Sequence, residues 1–286
     1  MSSNAGGWEL TRALRISFVF VLVCVLLALV GTWAFGAMVR SAVKRLPPAW
    51  EQKFGDKELA ELQKKFDFSE DTNQLAALRA ATEPLLRVVS EPGTRYTFHI
   101  LQVPVPNAFA LPGGHVIVTS GMLQMVGSQE ELLGVIAHEL AHVTLKHAFR
   151  HMISTAGPVL ICRVFMGAGN LDLLGKGSGL LVYQSFSQEY EMEADNQGWD
   201  YLVAANINPT GMINVFRSLD MFHGGDVDVI PRAFSSHPTM RKRIVNLDAR
   251  WRKLPKKSGF LVLTNALPVP IEEDGQKNFK LRRSRR

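Results

Sequence analysis

The sequence predicts an α+β domain, mainly helical with a small sheet, behind one membrane-spanning helix. Three observations carry this prediction. Twenty-four residues from Ile16 to Val39 pass without a charge. Strand-like patterns are short, at Tyr96–Val103 and His115–Thr119. Elsewhere apolar residues recur at helical spacing, and one such run contains His138-Glu139-Leu140-Ala141-His142. At 286 residues, 47% hydrophobic and 20% charged, the chain can hold one sizeable domain plus extras.

Residues 1–15 form a short N-terminal segment, and 16–39 a transmembrane helix long enough to cross a bilayer core of about 30 Å. A cleaved secretory signal is the alternative, with Gly31 and Ala34 or Gly36 keeping cleavage open. The apolar run exceeds the roughly 7–15 residues usual for such a signal, and it lacks a clear small-x-small site. Cys24 follows Leu22-Val23, whereas a lipidated cysteine wants a small residue before it. The segment therefore reads as an anchor in a lipid bilayer. Arg12 and Arg15 precede it and Arg40, Lys44 and Arg45 follow, so the positive-inside rule does not fix its orientation. Cys24 lies in the span and Cys162 is the other cysteine, so no disulfide within the domain reports the compartment.

Residues 40–71 are charged and read as a juxtamembrane stalk that becomes helical near Lys57–Leu62. The main domain is placed at 72–250. It opens with a helix over Thr72–Val89, whose Leu75, Leu78, Ala81, Leu85 and Leu86 are to pack on the sheet. Tyr96–Val103 alternates and is rich in β-formers, Pro104 and Pro106 interrupt it, and His115–Thr119 resumes as a strand after a Pro112-Gly113-Gly114 turn.

Glu130–Ala137 leads as an amphipathic helix into the H-E-x-x-H pattern. Positions i and i+4 share a helix face, so His138 and His142 can aim at one metal ion while Glu139 reaches the metal's water. Zinc sites of this kind use three protein ligands. The third is sought in the helical stretch Ser187–Gly198, where Glu191 is chosen and Glu189 is the weaker rival. Glu193 lies on a different face from Glu191. Asp195, one turn beyond Glu191 on its face, can hydrogen-bond a ligating imidazole and fix its tautomer. A metzincin would need glycine at 145 and histidine at 148, but the chain has Leu145 and Ala148. His147 and His151 read as structural or hydrogen-bonding residues, since a continuing helix axis carries them away from the metal.

Thr155–Tyr183 is apolar and glycine-rich but interrupted by Arg163, Asp172 and Lys176, so neither half is a full span. It reads as a mobile insertion over the cleft or a buried helical hairpin. Ser236-His237-Pro238 opens a basic helix, and by residue pattern alone is an N-terminal cap. Residues 251–286 form a basic C-terminal extension, with Leu261–Leu263 a possible strand. The net charge of +6 fits a solvated tail or attraction to anionic head groups. No aromatic-basic module accompanies it, so no nucleic-acid role is expected.

Four blocks carry a resemblance: Asn107–Leu123, the H-E-x-x-H helix with His147, Ser187–Asp195, and Ser236-His237-Pro238 followed by Arg243-Ile244. Together the chain resembles the gluzincin peptidases that include HtpX-type, CAAX-prenyl-protease-type, Oma-type and BepA-type proteases. The resemblance implies a zincin-like metallopeptidase domain holding one zinc ion on His138, His142 and Glu191, with Glu139 as general base. It also implies that His237 projects into the cleft, to stabilise the oxyanion or protonate the leaving group. The region of Asn107, Ala108, Phe109, Gly113 and Gly114 would be an edge strand pairing with an extended substrate, with an ordinary hairpin as the alternative. By the same token the partners are protein or peptide substrates, misfolded or damaged. The resemblance implies a single-pass protein, here of a bacterial inner membrane with its catalytic domain in the periplasm, with cytoplasmic placement as the alternative. One departure stands out: relatives carry arginine where this chain has Gln188, so the positive charge that arginine would bring near the ligand helix is absent, which bears on the surroundings of the ligands and not on the metal. A non-proteolytic, client-binding relative is the competing class, and the presence of Glu139 speaks against it.

Overall fold

The computed structural model describes residues 5–44, 47–89, 93–156, 186–223 and 240–263. The chain divides into two compact units, Met1–Arg45 and Leu46–Arg286.

The first unit is helix α1 (Ala5–Lys44). Within it Leu14–Val39 is long and apolar enough to cross a membrane. Phe18, Phe20, Leu27 and Trp33 all stand exposed, as on a helix whose solvent is lipid.

In the second unit three strands, β1 (Thr97–Leu101), β2 (Ala108–Leu111) and β3 (His115–Thr119), form a sheet in the order β1-β3-β2. β1 runs parallel to β3, and β2 runs antiparallel to it with Ala108 opposite Val118 and Leu111 opposite His115. Alternation along the strands sorts their side chains onto two faces. Phe98, Ile100, Val116 and Val118 join the main core with Leu78 and Leu85 of α3 (Thr72–Leu86). On the opposite face Leu101, Leu111 and Ile117 pack with Leu59 and Leu62 of α2 (Pro48–Lys65). α3 thus meets the sheet as its periodicity predicts.

The stalk expected over 40–71 is corrected here. Its helix begins at Pro48 rather than near Lys57, and it buries Phe54, Leu59 and Leu62 as part of the second unit. The Pro112–Gly114 turn lies beneath it. A Cβ on Gly113, which has φ 77°, would fall 2.7 Å from the Gln52 Cα. Gly114, with φ 91°, has no room for one beside the Arg95 carbonyl at 2.8 Å. These glycines therefore serve a left-handed turn closed against α2.

A short α4 (Ser120–Met125) leads to the central helix α5 (Gln129–Thr144), whose Leu132, Leu133, Ile136, Ala137 and Leu140 are fully buried. α6 (His147–Ala156) follows, then α7 (Gln188–Ala204), α8 (Thr210–His223) and α9 (Met240–Lys253). α7 lies directly on α5: a Cβ at Gly198 would approach the Ala137 carbonyl carbon and the His138 nitrogen to 3.0 Å. The C-terminal strand expected at Leu261–Leu263 is not formed. Instead the Leu261 N–H donates to the Asn206 carbonyl at 2.7 Å, while Trp251 and Leu263 pack on the main core. The glycine-rich stretch 157–183 and the tail from 264 lie outside the described residues.

Candidate metal centre

α5 starts where its sequence says it should. Ser128 Oγ accepts from the Glu131 N–H at 3.2 Å, and Glu131 Oε2 accepts from the Gly127 N–H at 2.7 Å, satisfying donors the helix leaves open. This start sets the phase of the helix, and its buried face carries His138, Glu139 and His142, each 3% exposed or less. α7 is capped in the same way, by Ser187 Oγ accepting from the Tyr190 N–H. It presents Glu191, which is fully buried, to the two histidines.

The three groups form a cluster able to hold one metal ion. His138 Nε2 lies 3.0 Å from His142 Nε2. Each nitrogen is 3.5 Å from a Glu191 oxygen, Oε2 for His138 and Oε1 for His142. Donors about 2.0–2.1 Å from a tetrahedral zinc ion lie about 3.3 Å from one another, so the donor set fits that ion. Glu189, the rival ligand, is exposed.

Around the donors runs a buried charge network. Asp195 Oδ1 lies 2.9 Å from His138 Nδ1, the imidazole nitrogen turned away from the cluster. Arg243 of α9, only 2% exposed, donates from Nη1 to Glu191 at 2.8 Å and from Nη2 and Nε to the two Asp195 oxygens at 2.7 and 2.8 Å. Its guanidinium lies 4.4 Å over the Phe216 ring. On the other ligand, His142 Nδ1 is 2.9 Å from His147 Nδ1, and His147 Nε2 is 3.2 Å from Glu193 Oε2. Arg150 binds both Glu193 oxygens.

These contacts set the protonation states. Burial and the Arg243 charge push His138 down, but hydrogen bonds to Asp195 and Glu191 outweigh them and raise it from 6.5 to about 9. A metal at the same place displaces that proton. Burial works against the Asp195 charge, yet Arg243 outweighs it and holds the carboxyl below its usual range. The His147 hydrogen bond, with Arg150, draws Glu193 down to about 2 against its partial burial. His147 is itself lowered by burial, more than Glu193 raises it.

Of the site residues read from the sequence, the structure brings His138, Glu139, His142, Glu191 and Asp195 together. His237 lies outside the described residues. Asn107, Gly113 and Gly114 have other tasks than an open strand edge. The Asn107 backbone is bonded on both sides to Thr119, and the two glycines form the turn under α2. Ala108 and Phe109 sit in β2, which has β3 on one side and no strand among the described residues on the other. Arg243, Glu193 and Arg150 carry no role in the sequence reading. Arg243 had a signal, since Met240, Arg243 and Leu247 are the buried positions of α9 at helical spacing, and an arginine on an apolar stripe needs a buried partner. Arg243 and Arg150 also supply the positive charge that Gln188, itself exposed, does not.

A helix-borne His-Glu-x-x-His pair completed by a glutamate from a second helix is the metal centre of the gluzincin class. Residues 72–251 match the model of Peptidase family M48, and the chain belongs to that family. It is 33% identical to the mitochondrial metalloendopeptidase OMA1 of Schizosaccharomyces pombe, over 57% of this chain and 50% of that protein. It is 31% identical to the metalloprotease LoiP of Escherichia coli, over 50% of this chain and 58% of the relative. With the beta-barrel assembly-enhancing protease of Yersinia pestis the identity is 30%, over 56% and 35%. The chain thus spans less than two thirds of each of these relatives.

Proposed function

We propose that the protein is a membrane-anchored zinc endopeptidase that cleaves misfolded or damaged proteins, with Glu139 as general base. The observation that carries this reading is the convergence of His138, His142 and Glu191 around one point, with Glu139 on the same turn of α5. Zinc bound there supplies a Lewis acid and brings the pKa of a water ligand to about 7. Glu139 then accepts a proton and delivers it to the departing amine. Asp195 and Arg243 hold His138 and Glu191 in place throughout, and His237 is assigned to the oxyanion or the leaving group.

β2 would guide the substrate. Asn107 is paired to Thr119 through the backbone, and alternation in an antiparallel ladder then turns the N–H and C=O of Ala108 and Ala110 outward. An extended peptide adding to that edge runs beside α5, toward a cavity lined by Ala110, Leu111, Pro112, His142, Phe149 and Phe186. The apolar α1 supports a membrane setting, and the proposal places the domain on the periplasmic side of a bacterial inner membrane.

The test uses the full chain in detergent, with bound zinc measured by elemental analysis and casein cleavage assayed beside Glu139→Gln. About one zinc per chain, with chelator-sensitive cleavage lost in the variant, supports the reading. Cleavage that survives in the variant sinks the mechanism. Zinc without any cleavage would instead favour a client-binding relative.

A further inference from the structure

We infer that His147 is a positioning residue for the metal ligand His142, acting through a hydrogen-bond relay that ends on Glu193 and Arg150. The inference rests on the metal centre proposed above.

The proton positions leave one arrangement. His142 faces His138 and Glu191 with Nε2, so Nε2 is the donor to a metal and Nδ1 keeps the proton. That proton points at His147 Nδ1, 2.9 Å away, which must accept it. His147 is then protonated on Nε2 and donates to Glu193 Oε2 at 3.2 Å. Glu193 accepts in turn from Arg150, whose guanidinium also lies 4.4 Å over the Tyr190 ring. Each imidazole nitrogen of His142 and His147 has one role. His138 has its carboxylate partner directly in Asp195; His142 reaches its own through a second imidazole.

The backbone is shaped to allow this. On an unbroken helix His147 would stand about 140° around the axis from His142, facing elsewhere. α5 instead ends at Thr144, and Lys146 takes a left-handed conformation with φ 54°, which a side chain disfavours. α6 then starts at His147 in a new direction and returns the ring to His142. Lys146 Nζ is held at 2.5 Å by Glu51 Oε1 of α2, both side chains nearly buried. His147 is fully buried and stacked on Tyr190, with ring centres 4.7 Å apart and planes 8° from parallel. A non-glycine residue kept left-handed, with its side chain tied down, is backbone strain retained next to a functional group.

The experiment measures zinc affinity of the full chain by competition with a chelator, and the visible spectrum of the cobalt-substituted protein. Loss of such an outer partner weakens metal binding by about 10–100-fold. His147→Leu should fall in that range and shift the cobalt bands. His147→Gln, whose amide can accept from His142 and donate to Glu193, should recover part of the loss. Glu193→Gln, which keeps the packing, should weaken binding in the same direction by a smaller factor, and it carries the test if His147→Leu does not fold. Zinc affinity within twofold of wild type and an unshifted cobalt spectrum in the folded variants would overturn the inference, whatever happens to their thermal stability. A wild-type chain that binds no zinc would overturn the metal centre itself, and the relay with it.

Discussion

Two pairs of histidines sit side by side in this fold and behave in opposite ways. His138 and His142 have ring centres 4.7 Å apart, and His99 and His115 of β1 and β3 have theirs 5.5 Å apart. The first pair faces Glu191 and Asp195, both buried and both bound to Arg243. The second meets Thr97, whose Oγ1 is 2.7 Å from His115 Nδ1 and 3.2 Å from His99 Nε2, and one half-exposed carboxylate, Asp56, 2.9 Å from His115. His138 is accordingly raised to about 9, while burial, reinforced by His115, lowers His99 to about 4. Among the described residues only the first pair belongs to a three-ligand group. Close imidazoles do not make a metal centre; buried carboxylates converging on them from another helix do.

The largest way to break the contrast is to remove the charge that holds those carboxylates. Arg243→Met should cost about 3–5 kcal/mol of stability, because it leaves two buried carboxylates, Glu191 and Asp195, with only the His138 imidazolium to balance them. Urea unfolding of the metal-free chain measures it, and a loss below about 1 kcal/mol would show that His138 alone balances the two carboxylates. A smaller effect is expected from spacing. Gly198→Ala places a methyl against the backbone of Ala137 and His138, and the overpacking should cost about 1–3 kcal/mol and weaken zinc binding by moving Glu191.

The second pair can be turned toward the first. Thr97→Asp places a carboxylate where the hydroxyl now meets both rings, and a histidine NMR titration should find His99 well above its present value near 4. The smallest effect is on pH dependence. With a folded value near 4 against an ordinary 6.5, His99 resists a proton that the unfolded chain accepts. Its share of stability is therefore full above about 6.5 and is lost as the pH falls toward 4. Melting temperatures of His99→Leu should fall less between pH 7 and pH 5 than those of the wild type; equal slopes would mean that His99 takes up its proton as readily in the folded chain as in the unfolded one.

What the sequence determined alone is local. The i, i+4 spacing puts His138 and His142 on one face of α5 and Glu191 and Asp195 on one face of α7, and both caps are written in serines just before the helices. The apolar run that forms α1 is equally self-contained. Tertiary structure decided what joins these faces. Arg243 reaches Asp195 across 48 residues and His138 across 105, distances over which no periodicity reports. His147 looks misdirected while α5 is imagined straight, and it becomes a partner of His142 only because the chain turns at Lys146 under the pull of Glu51. The position of β2 at the sheet edge, with β3 in the middle, likewise depends on pairing rather than pattern. Hydrophobic spacing encodes which face of an element is buried; which buried charges meet there depends on packing between elements distant in sequence.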